Sequence, residues 1–465
     1  MCRIRPRRAT GGRTASAGCR GTCGSRHGRG RGASSQRRQP VGQRQIGPPA
    51  RGNALDCGWT TGQRPRRFLM PALDGVRILD MTQYEAGTSC TQALAWLGAD
   101  VVKIERPGAG DPGRGIFTGQ DHSAYFVNWN SNKRSLALDL QDPRGRELLL
   151  RLVPHYDVFV ENYGPGVIER LDLGYEVMKA INPAIIHARI KGFGLSGPYS
   201  GYKCFDTVAQ AAGGSIAVTG EPDRPPVRPG ITVGDSGTGV QMALAICAAY
   251  IQRLRTGEGQ SIEIAMQEAM TYWLRTAISS GADWGRGAAP RTGGGATATS
   301  SVYPCAPGGP NDYAVVLIVT PRMWDAFCEA IGRPELRDDP RFESAAARRD
   351  NSDALFGEIA AWTLQHEKRE VMRILGEAGV PCGAVLDTQD IYDDPHLNER
   401  GFVKTVEHEV LGEVQLLGWP PRMSESEVPL VASPLLGQHT HDVLTGDLGL
   451  GDDELRELAE AGVIG

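Results

Sequence analysis

The stretch 73-LDGVRILDMTQYEAGTSCTQALAWLGADVVKIE-105 decides the fold class. Residues 76–80 and 99–105 are short apolar runs rich in β-branched residues, the composition of strands buried on both faces. Residues 88–97 between them have helix-compatible apolar spacing. Strand, helix and strand in this order make one βαβ unit. The first turn, TQYEAGTSC, lacks GxGxxG, so no nicotinamide or flavin site is expected there.

The alternation continues. Residues 134–140 read as strand, 143–153 as helix and 156–161 (YDVFVE) as strand; 167–181 read as helical and 184–190 (AIIHARI) as strand. The fold class is therefore α/β, a Rossmann-like, mostly parallel sheet covered on both faces. Such sheets bind ligands at the carboxyl ends of their strands, which directs attention to residues 82–89, 106–113, 162–166 and 191–199.

A second informative stretch is 230-GITVGDSGTGVQMALAI-246. A β-branched run (231–233) meets a Gly-Asp-Ser-Gly turn (234–237), and a helix-like apolar run follows (240–251). Asp235 then sits where an extended segment hands over to a helix. One reading makes it a helix cap, since Asp and Ser satisfy free N–H groups there. The other makes it a nucleophile, ionised by the helix end, with Gly234 and Gly237 leaving room for a substrate. Pattern alone leaves both open.

Further on, 253–260 is a polar turn, 261–265 a strand and 266–279 a helix. Residues 280–300 are rich in Gly, Ala and Thr around Gly293-Gly294-Gly295, a functional loop or a linker. Residues 313–320 resume as strand, with helices over 324–331 and 353–378. The expected division is 1–69 without regular structure, 70–290 as a large α/β domain, 291–390 as a smaller α+β domain, and 391–465 returning to the large domain.

Composition is that of a globular protein: 465 residues, 40% hydrophobic, 22% charged, net charge −4. The longest apolar run, 242–251, is too short to span a bilayer, so no membrane association is expected. Ten cysteines without a CxxC pair argue against zinc and disulfide frameworks, so a reducing, cytoplasmic setting is the expectation. Residues 1–69 hold 16 Arg, no Lys and one acid, Asp56, which leaves −19 on the remainder. This segment cannot build a core. It reads as a targeting peptide, an RG-type nucleic-acid tail, or a stretch outside the working protein, with Met70 a natural start. The acidic remainder would oppose a polyanion, and no nucleic-acid partner is expected.

Ten ordered segments carry a resemblance: LDGVRILD (73–80), LGADVVKIERPG (97–108), NKRSLALDL (132–140), VENYGPG (160–166), INPAIIHARIKGFG (181–194), FDTVAQAAGG (205–214), GDSGTG (234–239), TGEGQ (256–260), GVPCGAV (379–385) and PLLGQHT (434–440). Together they resemble the class III CoA-transferases, the CaiB/BaiF-type family that contains formyl-CoA transferase. The resemblance implies a large Rossmann-like domain, a small domain, and a homodimer of two interlocked rings. It implies acyl-CoA and a carboxylic acid as substrates, with no permanently bound cofactor and no metal. It places the nucleophile at Asp235 and a glycine-rich flap at Gly293, Gly294 and Gly295. It matches CoA-contact positions to Tyr84, Ala86, Arg106, Leu138, Asn162, Tyr163, Arg170 and Lys203. Arg and Lys suit phosphates; each alone would be an ordinary surface charge.

Two positions depart from formyl-CoA transferase. Glu85 stands where that enzyme has Gln, and Asp206 where it has Glu. Both are expected in the catalytic site, and a second carboxylate beside Asp235 disfavours double ionisation. An acyl-CoA epimerase on the same fold is the alternative. The related racemases place a histidine directly before the carboxylate that here is Asp206, whereas this chain has Phe205.

Overall fold

The structure, a computed structural model, describes residues 69–117, 122–281 and 283–465. The Arg-rich segment and its competing readings lie outside the described residues, apart from Leu69.

Six strands form one fully parallel sheet: β1 (Arg77–Met81), β2 (Asp100–Glu105), β3 (Arg134–Ala137), β4 (Val158–Glu161), β5 (Ile186–Lys191) and β6 (Ser261–Ala265). Their order is β3-β2-β1-β4-β5-β6, the doubly wound arrangement expected of a Rossmann-like domain. The chain winds one way from β1 to β3 and the other way from β4, so the switch point lies between β1 and β4. The helices that cover the sheet are α1 (Ala86–Ala95), α2 (Ala124–Trp129), α3 (Pro143–Leu152), α4 (Val167–Arg170), α5 (Tyr175–Ile181), α6 (Asp206–Ala212) and α7 (Val233–Thr256).

Local chemistry explains these boundaries. Asp142 accepts a hydrogen bond from Arg144 N and Pro143 opens α3, a favourable helix start. Helix α1 is buried over all ten residues, and small side chains let it lie between the sheet and α7. At their crossing, a Cβ on Gly239 would stand 2.1 Å from Ser89 Oγ and 2.7 Å from the Ala86 carbonyl. Only glycine permits this approach.

Several expected elements differ. Residues 231–233 are not a strand: α7 starts at Val233 and includes Gly234-Asp235-Ser236-Gly237 as its first turn. Strand β3 stops at Ala137, β9 (Tyr313–Leu317) stops at Leu317, and the helix expected over 266–279 breaks at Leu274 into α8 (Met266–Trp273) and α9 (Arg275–Gly281). The glycine-rich loop also ends in a short strand that the sequence did not suggest, β7 (Gly295–Thr297).

Strands β7, β8 (Ser300–Pro304), β9 and β10 (Cys382–Ala384) make an antiparallel sheet. It packs with α10 (Pro321–Ala330), α11 (Ala345–Asp350), α12 (Ser352–Thr363) and α13 (Lys368–Glu377) around a separate core that includes Tyr303, Phe327, Phe342, Leu355 and Leu375. Two short helices, α14 (Thr388–Asp393) and α15 (Pro395–Glu399), lead to the hairpin β11 (Val403–His408) and β12 (Gly412–Leu417). Helices α16 (Thr440–Leu448) and α17 (Asp452–Glu460) place Val443, Leu444 and Leu455 in one of the two cores of the parallel sheet.

Candidate active site

Charged side chains gather around the carboxyl ends of β1, β2, β4 and β5, with Lys133 reaching in from just before β3. Lys133 reaches Asp80 at 3.0 Å, Lys103 reaches Asp111 at 2.8 Å, Arg114 reaches Glu105 at 2.6 Å, and Glu161 takes both Arg189 and Lys191, at 2.8 and 2.7 Å. Such pairs add little net stability, but removing one partner costs about 3–5 kcal/mol. Their work here is to fix loops. Lys103 also donates to the Thr82 carbonyl (2.7 Å), and Asp111 accepts from Tyr84 N (3.1 Å). Tyr84 is thereby held at φ +59°, an uncommon conformation for a bulky residue and a mark of a constrained site.

The switch point is closed by an amide pair. Asn162 Oδ1 accepts from Gln83 N, and Asn162 Nδ2 donates to the Gln83 carbonyl, both at 2.8 Å. Gln83 Nε2 donates to the Tyr163 hydroxyl at 2.9 Å. Tyr84, Asn162 and Tyr163 thus belong to one locked pair of loops at the carboxyl ends of β1 and β4.

Beside them, α1, α6 and α7 bring three carboxylates together. Asp206 Oδ1 accepts from Gly234 N at 2.9 Å and Asp235 N at 3.3 Å, and Asp206 Oδ2 accepts from Gln210 Nε2 at 2.7 Å. Asp206 is therefore the cap of α7, supplied from another element. Gly234 has the role of admitting it, since a Cβ there would stand 2.7 Å from the Asp206 carbonyl. The space beside Gly237 is likewise filled, by Val233 and Trp273, so neither glycine leaves room for a substrate as the turn pattern suggested.

Asp235 is then free of the capping duty. It is 8% exposed, and no donor among the described residues bonds its carboxylate. Burial, then the charge of Asp206, raises its pKa to about 7. Glu85 is 2% exposed, and Thr232 Oγ1 donates to its Oε1 at 2.5 Å. Burial raises the Glu85 pKa to about 8; the Thr232 bond works against this, while Asp235 and Asp206 add to it. A buried carboxylate at the start of a helix with its pKa raised toward neutrality is a candidate for chemistry.

The remaining expected residues divide. Ala86 is buried, its carbonyl against Gly239. Arg106 follows β2, Arg170 ends α4 and Lys203 precedes α6; all three are exposed, and no carboxylate among the described residues pairs with them. Leu138, just after β3, is buried, bridges to Ile464 and lies in the core cluster against which Tyr163 packs. Gly293 to Gly295 lie at the entry to β7, where Gly293 N donates to the Gly220 carbonyl at 3.0 Å and Arg291 binds carbonyls of residues 217–224.

The sequence reading missed Thr232, Gln83, Asp111 and Tyr125. Tyr125 feels the charges of Glu85 and Asp235, and its hydroxyl is pushed well up by burial. It rides on the six-residue helix α2, too short for periodicity to reveal, although Ser123 caps it. Among the described residues no cluster of metal-ligating side chains occurs. The 580 Å³ cavity beside Trp96 and Trp419 contains none of the three carboxylates, so chemistry and not volume marks the site.

Comparison with known proteins gives consistent findings. The model of CoA-transferase family III matches residues 73–440. A formyl-CoA:oxalate CoA-transferase of Streptomyces coelicolor is 43% identical over 409 residues, covering 84% of this chain and 99% of that protein. One from Bradyrhizobium sp. is 39% identical over 417 residues, covering 84% and 97%. Among solved structures, a CaiB/BaiF family protein from Brucella suis superposes with a TM-score of 0.73 at 32% identity, covering 82% of this chain and all (100%) of that one.

Proposed function

The chain belongs to CoA-transferase family III, and from that premise we propose that it moves coenzyme A between two carboxylic acids with Asp235 as nucleophile. The observation that carries this reading is the Asp235 carboxylate itself: buried, unbonded and in the first turn of α7, with the helix capped by Asp206 instead.

A thioester is activated, so a carboxylate can attack it. Asp235 attacks the acyl carbon, the C–S bond breaks, and CoA leaves as thiolate. The thiolate then attacks the aspartyl carbonyl of the mixed anhydride, releasing the first acid and leaving an aspartyl-CoA thioester. The acceptor carboxylate attacks that thioester and expels CoA again. The returning thiolate takes the acceptor's acyl group and frees Asp235. Bonds broken and formed balance, and no proton is consumed. Anhydrides hydrolyse, so the site must stay dry between steps; the flap at Gly293, Gly294 and Gly295 is assigned this cover. Tyr84, Ala86, Asn162 and Tyr163 are assigned to the pantetheine path, and Arg106, Arg170 and Lys203 to the phosphates.

Epimerisation needs an acid and a base on opposite faces of one carbon. Phe205 cannot titrate, and burial pushes the Cys204 thiol up to about 11. His187 is buried in β5 against Phe159, with burial pushing its pKa down to about 4. None of these is a second proton carrier.

A homodimer is part of the proposal. On α7, Val240, Leu244, Ile251 and Leu254 are exposed, and with half-buried Cys247 they recur in steps of four and three residues. That is the spacing of a helix seam that packs on another helix. No helix among the described residues is long and apolar enough to cross a membrane; the cytoplasmic setting is part of the proposal and rests on ten cysteines without a CxxC pair. The test is a panel of acyl-CoA donors against free acids, starting from formyl-CoA and oxalate, with product CoA esters read by mass. Transfer to an acid supports the reading. Exchange of an α-proton in deuterated water without any acceptor acid would make the protein an epimerase.

A further inference from the structure

We propose that Glu85 works in this site as a neutral carboxylic acid, donating a hydrogen bond from its own hydroxyl to an oxygen of the reacting carboxyl group. The inference rests on the transferase reading above and assigns a role that reading leaves empty.

Charge comes first. Glu85, Asp206 and Asp235 share one buried region, and neither Glu85 nor Asp235 has a lysine or arginine acting on it among the described residues. The groups facing Glu85 are Asp235 of α7, Asp206 of α6 and the Tyr125 hydroxyl of α2; none is cationic. Helix α1 itself offers no charged side chain. Three adjacent carboxylates without a counter-ion do not all ionise in a dry site.

Hydrogen bonding then says which one holds the proton. Asp206 accepts from three N–H groups, those of Gly234, Asp235 and Gln210, and protonating it would spoil this arrangement. Asp235 must be an anion to attack. Among the described residues Glu85 has one partner, the Thr232 hydroxyl on Oε1, which leaves Oε2 to carry the O–H. The start of α1 favours the Glu85 anion, but full burial beside two acids opposes it more strongly.

Position fits the role. Thr232 links the two groups: its hydroxyl meets Glu85 at 2.5 Å, and its carbonyl accepts from Asp235 N at 3.1 Å. A donor there stabilises the oxygen that becomes negative as Asp235 attacks. A carboxylate at the same place would repel both that oxygen and an incoming acid. Because transfer between two carboxylates consumes no proton, Glu85 keeps its hydrogen through the whole cycle.

The test compares wild type with Glu85→Gln, whose amide still donates but cannot ionise. Turnover with formyl-CoA and oxalate, and with other acyl-CoA and acid pairs, is followed against pH. In parallel, infrared difference spectra between the two proteins look for the C=O stretch of a protonated carboxyl. Near neutral pH Glu85→Ala, which removes the donor, should lose roughly hundredfold, and Glu85→Gln, which restores one, should recover at least about tenfold of that loss. The wild type should lose roughly tenfold per pH unit once Glu85 ionises, and Glu85→Gln should lack that fall. The protonated-carboxyl band should be present in wild type near neutrality and vanish by about pH 10. A folded Glu85→Gln protein no more active at neutral pH than Glu85→Ala, an alkaline fall that persists in it, or the absence of the band would each overturn the proposal. If wild type transfers CoA to no acid, the transferase reading fails, while the infrared band still decides where the proton sits.

Discussion

Asp235 and Glu85 resist ionisation for one reason: both are buried beside acidic neighbours with no cation among the described residues to compensate. Turnover should therefore rise with pH as Asp235 ionises near 7 and fall as Glu85 ionises near 8, giving a narrow bell whose limbs belong to the coupled pair. A stability consequence accompanies it. Both groups have folded pKa values above their ordinary 3.8 and 4.5, so the folded chain holds protons that the unfolded chain releases. Stability from this source is fully present below about pH 4 and is lost as pH rises through 7 to 8. Asp235→Asn removes part of that loss. It should abolish turnover, by about a thousandfold or more, yet melt higher than wild type in an alkaline thermal scan. A variant that melts lower throughout would show that Asp235 stabilises the helix after all.

At the scale of the element, the start of α7 explains both what the sequence revealed and what it concealed. The β-branched Ile231, Thr232 and Val233 suggested a strand, and Gly234 and Gly237 suggested a turn. Helix wins because Asp206, 28 residues away from Gly234, caps it through space. A cap from so far along the chain leaves no mark in a local window. Parallel strands, by contrast, are written in contiguous runs such as VVKIE and YDVFVE, and so most of the sheet could be read directly. Asp206→Ala should cost about 1 kcal/mol through the lost cap, and should reduce turnover by displacing Asp235. Gly239→Ala tests the α1–α7 contact: a Cβ 2.1 Å from Ser89 Oγ forces the helices apart, so it should cost about 1–3 kcal/mol by thermal unfolding. Asp206→Ala with full activity would separate the cap from the chemistry.

For the whole molecule, the doubly wound order β3-β2-β1-β4-β5-β6 puts Glu85, Asn162 and the buried ion pairs at one edge of one sheet. The order itself was not legible, because strand neighbours depend on crossovers and not on local pattern. The seam on α7 was equally hidden, since apolar residues on a long helix read as core until burial is known. Leu244 and Leu254, 72% and 70% exposed in the single chain, are where the proposed homodimer would pack. Leu244→Glu combined with Leu254→Glu should shift the protein from dimer to monomer in sedimentation analysis. A dimer unaffected by both would place the interface elsewhere.

The central claim is that Asp235 becomes covalently acylated. The most direct measurement incubates the protein with an acyl-CoA, traps with hydroxylamine, and maps the modified peptide by mass. The account predicts a hydroxamate on Asp235 that forms only with acyl-CoA present and is missing in Asp235→Asn. Turnover without any adduct at Asp235, or an adduct on Glu85 or Asp206 instead, would contradict it.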